Sequence, residues 1–306
     1  MNHIVTITDI HYLHYALTLY QSLKYTSKER FLLHFYCIDQ ESYDKVKNLR
    51  YHDLKPYKPE FLNGPELDRI NSYPKLPNGL SEFHWALSSL FMYYVSKNLV
   101  CEDRPKLMYC DSDVMFYNDV NDISQAFNKD IGMITHKHMK FDPKNIGVGY
   151  FNVGIFMVQK DGYEALKIWS ECVSNKNNPY AKKYGGCGDQ GYLNLLWDMF
   201  KTRVQVLDHD IGHFAPWSAK MILECNQDSY IIHDKEENIF ENKPMEQKLY
   251  FYHYSHFNPD YKRGIYQCDR EGEWHNIIAH APFVKEMYDK IYIHTFSQKL
   301  FLESVR

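Results

Sequence analysis

The side chains best placed for chemistry are Asp111 and Asp113, where an apolar run from Lys106 to Tyr109 ends in Cys110-Asp111-Ser112-Asp113. Carboxylates at i and i+2 of a turn can converge on one divalent ion, and oxygen ligands suit Mn²⁺ or Mg²⁺. An ion held there would offset the negative charge that grows on a departing diphosphate. The competing reading is a solvated turn, because a bare DxD recurs by chance. The preceding strand separates the two readings, since open α/β sheets place ligands at the carboxyl ends of their strands.

The elements that must position this pair follow from hydrophobic periodicity. Ile4 to Thr8 is a β-branched strand bounded by Asp9, and Tyr12 to Leu23 carries Leu13, Ala16, Leu17 and Tyr20 at helical spacing. Phe31 to Ile38 reads as a buried strand ending at Asp39, with a helix from Glu41 to Leu49 after it. These two βα units predict a parallel, Rossmann-like sheet. Lys55 to Gly79, rich in Pro, Gly and Asn, predicts an irregular excursion at a sheet edge. Ser81 opens a helix with Ala86, Leu87, Leu90, Phe91 and Tyr94 on one face. Further strands are expected at Ile131 to Thr135, Tyr150 to Val158 and Val204 to Leu207, and late ones at Ile231-Ile232 and Leu249 to Tyr254. Helices are expected from Gly162 to Val173 and from Gly191 to Phe200, the latter after the Gly-rich Gly185-Gly186-Cys187-Gly188 and Asp189-Gln190. The remainder of the chain reads as helical.

With 306 residues, 44% of them hydrophobic, the chain can bury a large core. A formal net charge of -4 gives no positive field to follow a phosphate backbone, so nucleic-acid binding is disfavoured. The seven cysteines occur singly, without CxxC, which suggests free thiols in a reducing compartment. The opening MNHIVTITD enters a strand at once, leaving no room for a signal peptide, and no apolar run approaches the roughly 20 residues of a membrane span. A cytoplasmic location is expected. The 26 Tyr, 18 Phe and 5 Trp suit both core packing and platforms for bases and sugar rings.

Five ordered segments carry a family resemblance: VTITD, LMYCDSDVMFYNDV, GYFNVGIFMV, GDQGYLN and FYHYSH. Together they resemble GT-A glycosyltransferases, and in particular glycosyltransferase family 8 and related nucleotide-diphospho-sugar transferases, over residues 4 to about 257. The resemblance implies that Thr8, Asp9 and Tyr12 contact the nucleoside. Asp111 and Asp113 would bind the metal, with Asp111 also near the ribose, and Asp119 is the further acidic position. His253 would complete the metal shell, with His256 as its rival. Asn152, Asp189 and Gln190 would face the sugar, where a carboxylate can stabilise an oxocarbenium-like transition state. Asp189 could equally cap the helix that follows it. One feature departs from family 8, whose basic KPW signature follows the metal His. Here Ala215-Pro216-Trp217 precedes His253, leaving Lys262 and Arg263 as substitutes for the missing Lys or as a solvated pair.

The expected fold is therefore α/β of the GT-A (Rossmann-like) type, a mixed, mainly parallel sheet flanked by helices. A catalytic domain over 1–258 would carry a C-terminal helical extension over 259–306. The expected function is metal-dependent transfer of a hexose from a nucleotide-diphosphate sugar, a UDP-sugar being favoured, to a glycan or lipid-linked acceptor hydroxyl, with retention if family 8 is the guide. If the enzyme inverts, Asp189 becomes the candidate base. Alternatives are a sugar nucleotidyltransferase and a non-catalytic sugar-nucleotide-binding protein on the same fold. The segment Phe283 to Phe301, with Lys285, Lys290 and Lys299, is expected either to pack as a terminal helix or to rest on a membrane surface. Oligomeric state is not legible.

Overall fold

Residues 1–73, 82–99, 105–137, 149–185, 188–225, 229–232, 245–268 and 282–305 are described by a computed structural model. The chain runs β1 (Asn2–Thr8), α1 (Leu13–Thr26), β2 (Phe31–Cys37), α2 (Gln40–Leu49), β3 (Leu54–Tyr57), α3 (Pro65–Asn71) and α4 (Glu82–Asn98). It continues through β4 (Leu107–Cys110), β5 (Val114–Phe116), α5 (Val120–Ala126), β6 (Ile131–Thr135), β7 (Phe151–Val158), α6 (Tyr163–Val173), α7 (Ala181–Tyr184) and α8 (Gly191–Phe200). The last part comprises β8 (Val204–Val206), β9 (Gly212–Phe214), β10 (Ile222–Cys225), β11 (Ser229–Ile232), β12 (Met245–His253), β13 (Asn258–Asp260), β14 (Ile265–Gln267) and a helix, α9 (Pro282–Ser304).

The main sheet has seven strands in the order β3-β2-β1-β4-β7-β6-β8. All run parallel except β7, which is antiparallel to both β4 and β6. The fold is thus α/β with a mixed, mainly parallel sheet, as the βα periodicity predicts. Alternate residues of a strand face opposite sides, so a sheet covered on both faces needs apolar residues throughout. Val5, Leu107, Tyr109, Phe156 and Val158 enter one core, while their neighbours Ile4, Met108, Cys110, Ile155 and Met157 enter the other. Each fully buried large side chain contributes roughly 1.5–3 kcal/mol. Strand order reverses between β1 and β4, and both end in carboxylates there, at Asp9 and Asp111.

A second sheet, β10-β11-β12-β5, is joined to the first through the short link between β4 and β5, and β9 pairs with β12. Its core takes Tyr252, Tyr254 and Phe214 together with Val284, Met287, Tyr288 and Ile291 of α9, so the terminal helix shares buried surface with β12. No helix among the described residues is long and apolar enough to cross a membrane.

Two expectations are corrected. The Pro-rich stretch from Lys55 is not wholly irregular: β3 pairs with β2, placing Pro56 on an edge strand where its missing N–H is tolerated, and α3 begins at Pro65, where a helix start has no use for that N–H. The chain after Tyr254 is not all helix either, because β13 and β14 form a hairpin before α9. Ser81, Gly186 and Cys187 lie outside the described residues.

Candidate active site

Asp111 and Asp113 stand on the turn between β4 and β5, closed by Val114 N–H donating to Asp111 O at 3.2 Å. The turn is pinned from two sides: Asp111 N–H donates to Gly154 O of β7 at 3.1 Å, and Tyr254 N–H donates to Asp113 O at 2.9 Å. The β5–β12 register sets His253 opposite Val114, which brings its ring to the two carboxylates. His253 Nε2 lies 3.2 Å from Asp113 Oδ1 and 3.6 Å from Asp111 Oδ2. One ligand atom from each of the three residues falls within 4.8 Å of the others.

The ring orientation of His253 is fixed from behind. Asn152 Oδ1 accepts from Gly154 N–H at 2.9 Å, which identifies it as the amide oxygen, and it lies 3.2 Å from His253 Nδ1. Nδ1 therefore carries the proton, and Nε2 turns its lone pair toward the carboxylates when the ring is neutral. Gly154 is required for this approach: a Cβ there would lie 2.5 Å from His253 Nδ1 and 2.6 Å from Asn152 Oδ1. Two carboxylates and an oriented imidazole make a donor set that fits a divalent ion such as Mn²⁺ or Mg²⁺.

The charges at this turn are out of balance. Burial pushes the Asp111 carboxyl up to about 6, against the pull of His253. Burial also works to raise Asp113, but the charge and hydrogen bond of His253 hold it below its ordinary value. His253 is itself raised, the two aspartates outweighing the burial that would lower it.

A cavity of about 450 Å³ opens in front of the turn. Its lining contains Thr8, Asp9, Tyr12, Asp111, Asp113, Asn152, Asp189, Gln190 and His253, all singled out in the sequence. At one end, Asp9 Oδ1 accepts Tyr12 N–H at 2.9 Å, holding the turn into α1, and Asp39 Oδ2 accepts Ile10 N–H at 2.8 Å while its Oδ1 caps α2. Thr8 is buried, its hydroxyl donating to Asp9 O at 3.0 Å. His84 Nε2 stands 3.5 Å from Asp9 Oδ2, and this contact, with the Tyr12 N–H, holds Asp9 below the usual carboxylate range despite its burial.

At the other end lie Asp189 and Gln190. Trp169 Nε1–H donates to Asp189 O at 2.9 Å, fixing the backbone. Asn152 Nδ2 donates to Gln190 Oε1 at 3.1 Å and lies 3.3 Å from His136 Nε2, so one amide ties Gln190 to the His253 ring. Ser88 Oγ sits 2.6 Å from both Asp189 Oδ2 and Trp85 O. A hydroxyl has one proton for these two acceptors, so the contacts close fully only when Asp189 is protonated. Burial, opposed by Ser88, pushes that carboxyl up to about 7.

Several sequence-based alternatives are resolved by geometry. The N-cap position of α8 falls on Gln190, which makes no side-chain cap bond, so Asp189 stands one residue before the cap. Asp119 is buried away from the cavity and caps α5 by accepting Asn121 N–H at 3.0 Å. His256 lines the cavity but stands outside the three-residue cluster, on an exposed position with φ of 64°. Lys262 and Arg263 sit in the β13–β14 turn, where Arg263 pairs with Asp260, and neither lines the cavity. Trp217 does line it, with its ring edge-on to His253 at 5.7 Å. Sequence reasoning missed His84, Trp85, Ser88, Tyr109 and His136. The polar residues of α4 were the available signal, at i and i+4 beside an apolar face.

No family model matches the chain, and no curated protein matches it by sequence. Solved structures do match. The chain is similar to the galactosyltransferase LgtC in complex with donor and acceptor sugar analogs, with 17% identity and a TM-score of 0.53 over 83% of this chain and 87% of that one. An active-site mutant of LgtC matches with 15% identity and a TM-score of 0.56 over 92% of this chain and 96% of that one. At this identity the likeness concerns architecture: the chain has the GT-A fold of these glycosyltransferases.

Proposed function

We propose that this chain is a metal-dependent glycosyltransferase that moves a hexose from a nucleotide-diphosphate sugar, a UDP-sugar being favoured, to a hydroxyl of a glycan or lipid-linked acceptor, with retention of configuration. The observation that carries the proposal is the cluster of Asp111, Asp113 and His253 facing a cavity at the strand-order reversal of a GT-A fold. The cavity lining holds four aspartates and, among the described residues, no Lys or Arg. A pyrophosphate entering such a lining needs a cation that accompanies it.

In this reading Asp111, Asp113 and His253 hold Mn²⁺ or Mg²⁺, which supplies Lewis-acid neutralisation of the departing diphosphate. Asp9, Thr8 and the Tyr12 ring receive the nucleoside at the opposite end. Asn152 acts as a positioning residue, because its amide orients both the His253 ring and Gln190. Asp189 and Gln190 face the sugar, where the Asp189 carboxyl, once it gives up its proton, places negative charge near the anomeric carbon as positive charge develops there. The bond from C1 to the phosphate oxygen breaks with its electron pair going to the diphosphate. The acceptor oxygen forms the new bond to C1, and its proton passes to the leaving phosphate oxygen. A peripheral membrane contact through α9 and a cytoplasmic location belong to the same proposal.

The test is a donor screen that follows nucleoside-diphosphate release with Mn²⁺ and with chelator, in wild type and Asp113→Ala. Release that needs the ion and falls by roughly a hundredfold or more in the variant supports the proposal. Equal release under all conditions would sink it. Anomer analysis of the product checks retention.

A further inference from the structure

The first turns of α4 cross the cavity from one carboxylate to the other. His84 reaches Asp9 at 3.5 Å, and Ser88, one helical turn on, lies 2.6 Å from Asp189. Trp85 falls between them and lines the same cavity, with 37% of its surface exposed. Two indoles, Trp85 and Trp217, stand in the lining, and Trp85 is the more exposed of the two.

The ring is seated by the backbone. Gly188, the residue before Asp189, has φ of +52°, and a Cβ on it would lie 2.7 Å from Trp85 Cε3. Only a glycine both adopts this conformation and leaves room for the indole. The carbonyl of Trp85 is in turn 2.6 Å from Ser88 Oγ, so the backbone that carries the ring belongs to the network holding Asp189. Ring and carboxyl are thereby placed side by side, one apolar and one polar.

A hexopyranose has that same division. Its C–H bonds gather on the faces of the ring and its hydroxyls project at the rim, so an aromatic face and an adjacent carboxyl recognise it together. We infer that Trp85 is the wall of the donor-sugar subsite and supplies the apolar contact by which a hexose donor binds more tightly than the bare nucleoside diphosphate. The inference rests on the reading of the cavity as a nucleotide-sugar site. Acidic sugars are excluded by the neighbouring Asp111, Asp113 and Asp189, whatever stands at position 85.

The experiment measures dissociation constants by calorimetry with Mn²⁺ present, using uridine diphosphate, UDP-galactose, UDP-glucose and UDP-glucuronate as probes. Wild type, Trp85→Phe and Trp85→Ala are compared. In wild type the hexose donors bind more tightly than uridine diphosphate, and UDP-glucuronate does not. Trp85→Ala loses about tenfold on the hexose donors and leaves uridine diphosphate unchanged, the scale of one aromatic contact. Trp85→Phe keeps most of the difference. Uridine diphosphate binding also reports that each variant is folded. An equal loss for uridine diphosphate and the hexose donors overturns the inference, as does an unaltered preference in Trp85→Ala. A wild type that binds none of the probes with Mn²⁺ instead overturns the nucleotide-sugar reading beneath it, a distinct result.

Discussion

Two clusters of aspartate and histidine lie along β12, and they differ in what completes their charge. Beside the middle of the strand, His213 of β9 bonds Asp208, whose carboxylate also accepts Thr135 N–H at 3.2 Å. Lys137 adds a cation to this group and donates to Gln247 Oε1 at 3.2 Å. Burial and then Lys137 hold His213 down at about 4, so its ring is neutral. Burial works to raise Asp208, yet His213 and Lys137 keep it far below the usual carboxylate range. One carboxylate meets one ammonium, and the cluster is complete. At the end of the strand, His253 meets two carboxylates in front of an open cavity. The same residue types thus build a structural knot in one place and, on the proposed function, an ion site in the other, and the deciding quantity is charge left over.

That contrast can be broken experimentally. Asp208→Ala removes the buried carboxylate that His213 bonds and that offsets the Lys137 charge, and should cost about 3–5 kcal/mol of unfolding free energy by denaturant titration. The Mn²⁺ affinity of the folded variant should stay within about twofold of wild type, as expected for sites that act independently. A large loss of Mn²⁺ affinity would merge the two clusters into one functional unit. Gly154→Ala acts on the other side of the comparison, forcing His253 and Asn152 apart. Mn²⁺ affinity should fall roughly 10–100-fold, the range for disturbing an orienting partner. Unchanged affinity would show that the ring approach is dispensable.

Acid sharpens the distinction further. A histidine whose folded value lies at about 4, below its ordinary 6.5, lends stability that is fully present above 6.5 and is lost as pH falls through 4. The melting temperature should therefore drop across that window, and less so in His213→Gln. An identical drop in both proteins would exonerate His213. The smallest effect belongs to Tyr109→Phe, which removes a hydroxyl that donates to Asp111 Oδ1 at 2.8 Å. A loss of about fivefold in Mn²⁺ affinity, about 1 kcal/mol, is expected in a metal titration.

The parts that were readable in the sequence share one property: local pattern decides them. Val5 and its neighbours announce a strand by β-branching, and Asp111 and Asp113 declare themselves by spacing after another strand. The antiparallel course of β7 is decided by partners far away in the chain, so its apolar run could not reveal direction. β5, β9 and the β13–β14 hairpin are only three residues per strand, too short for any period to register. In α4 the apolar face announced a helix, and that signal masked the polar side where His84 and Ser88 do their work. His253 is preferred to His256 because it ends the apparent strand, and its register opposite Val114 brings that position to the carboxylates.

The β5–β12 ladder also has a consequence for timing. Asp113 and His253 meet only after that pairing closes, so a growing chain holds the acidic turn long before it holds the third ligand. If the cluster holds the proposed ion, full affinity for it would arrive as a late event of folding, after a loop closure that spans much of the molecule. Fraying of this single ladder would release the ion first, making cation retention an early readout of local opening.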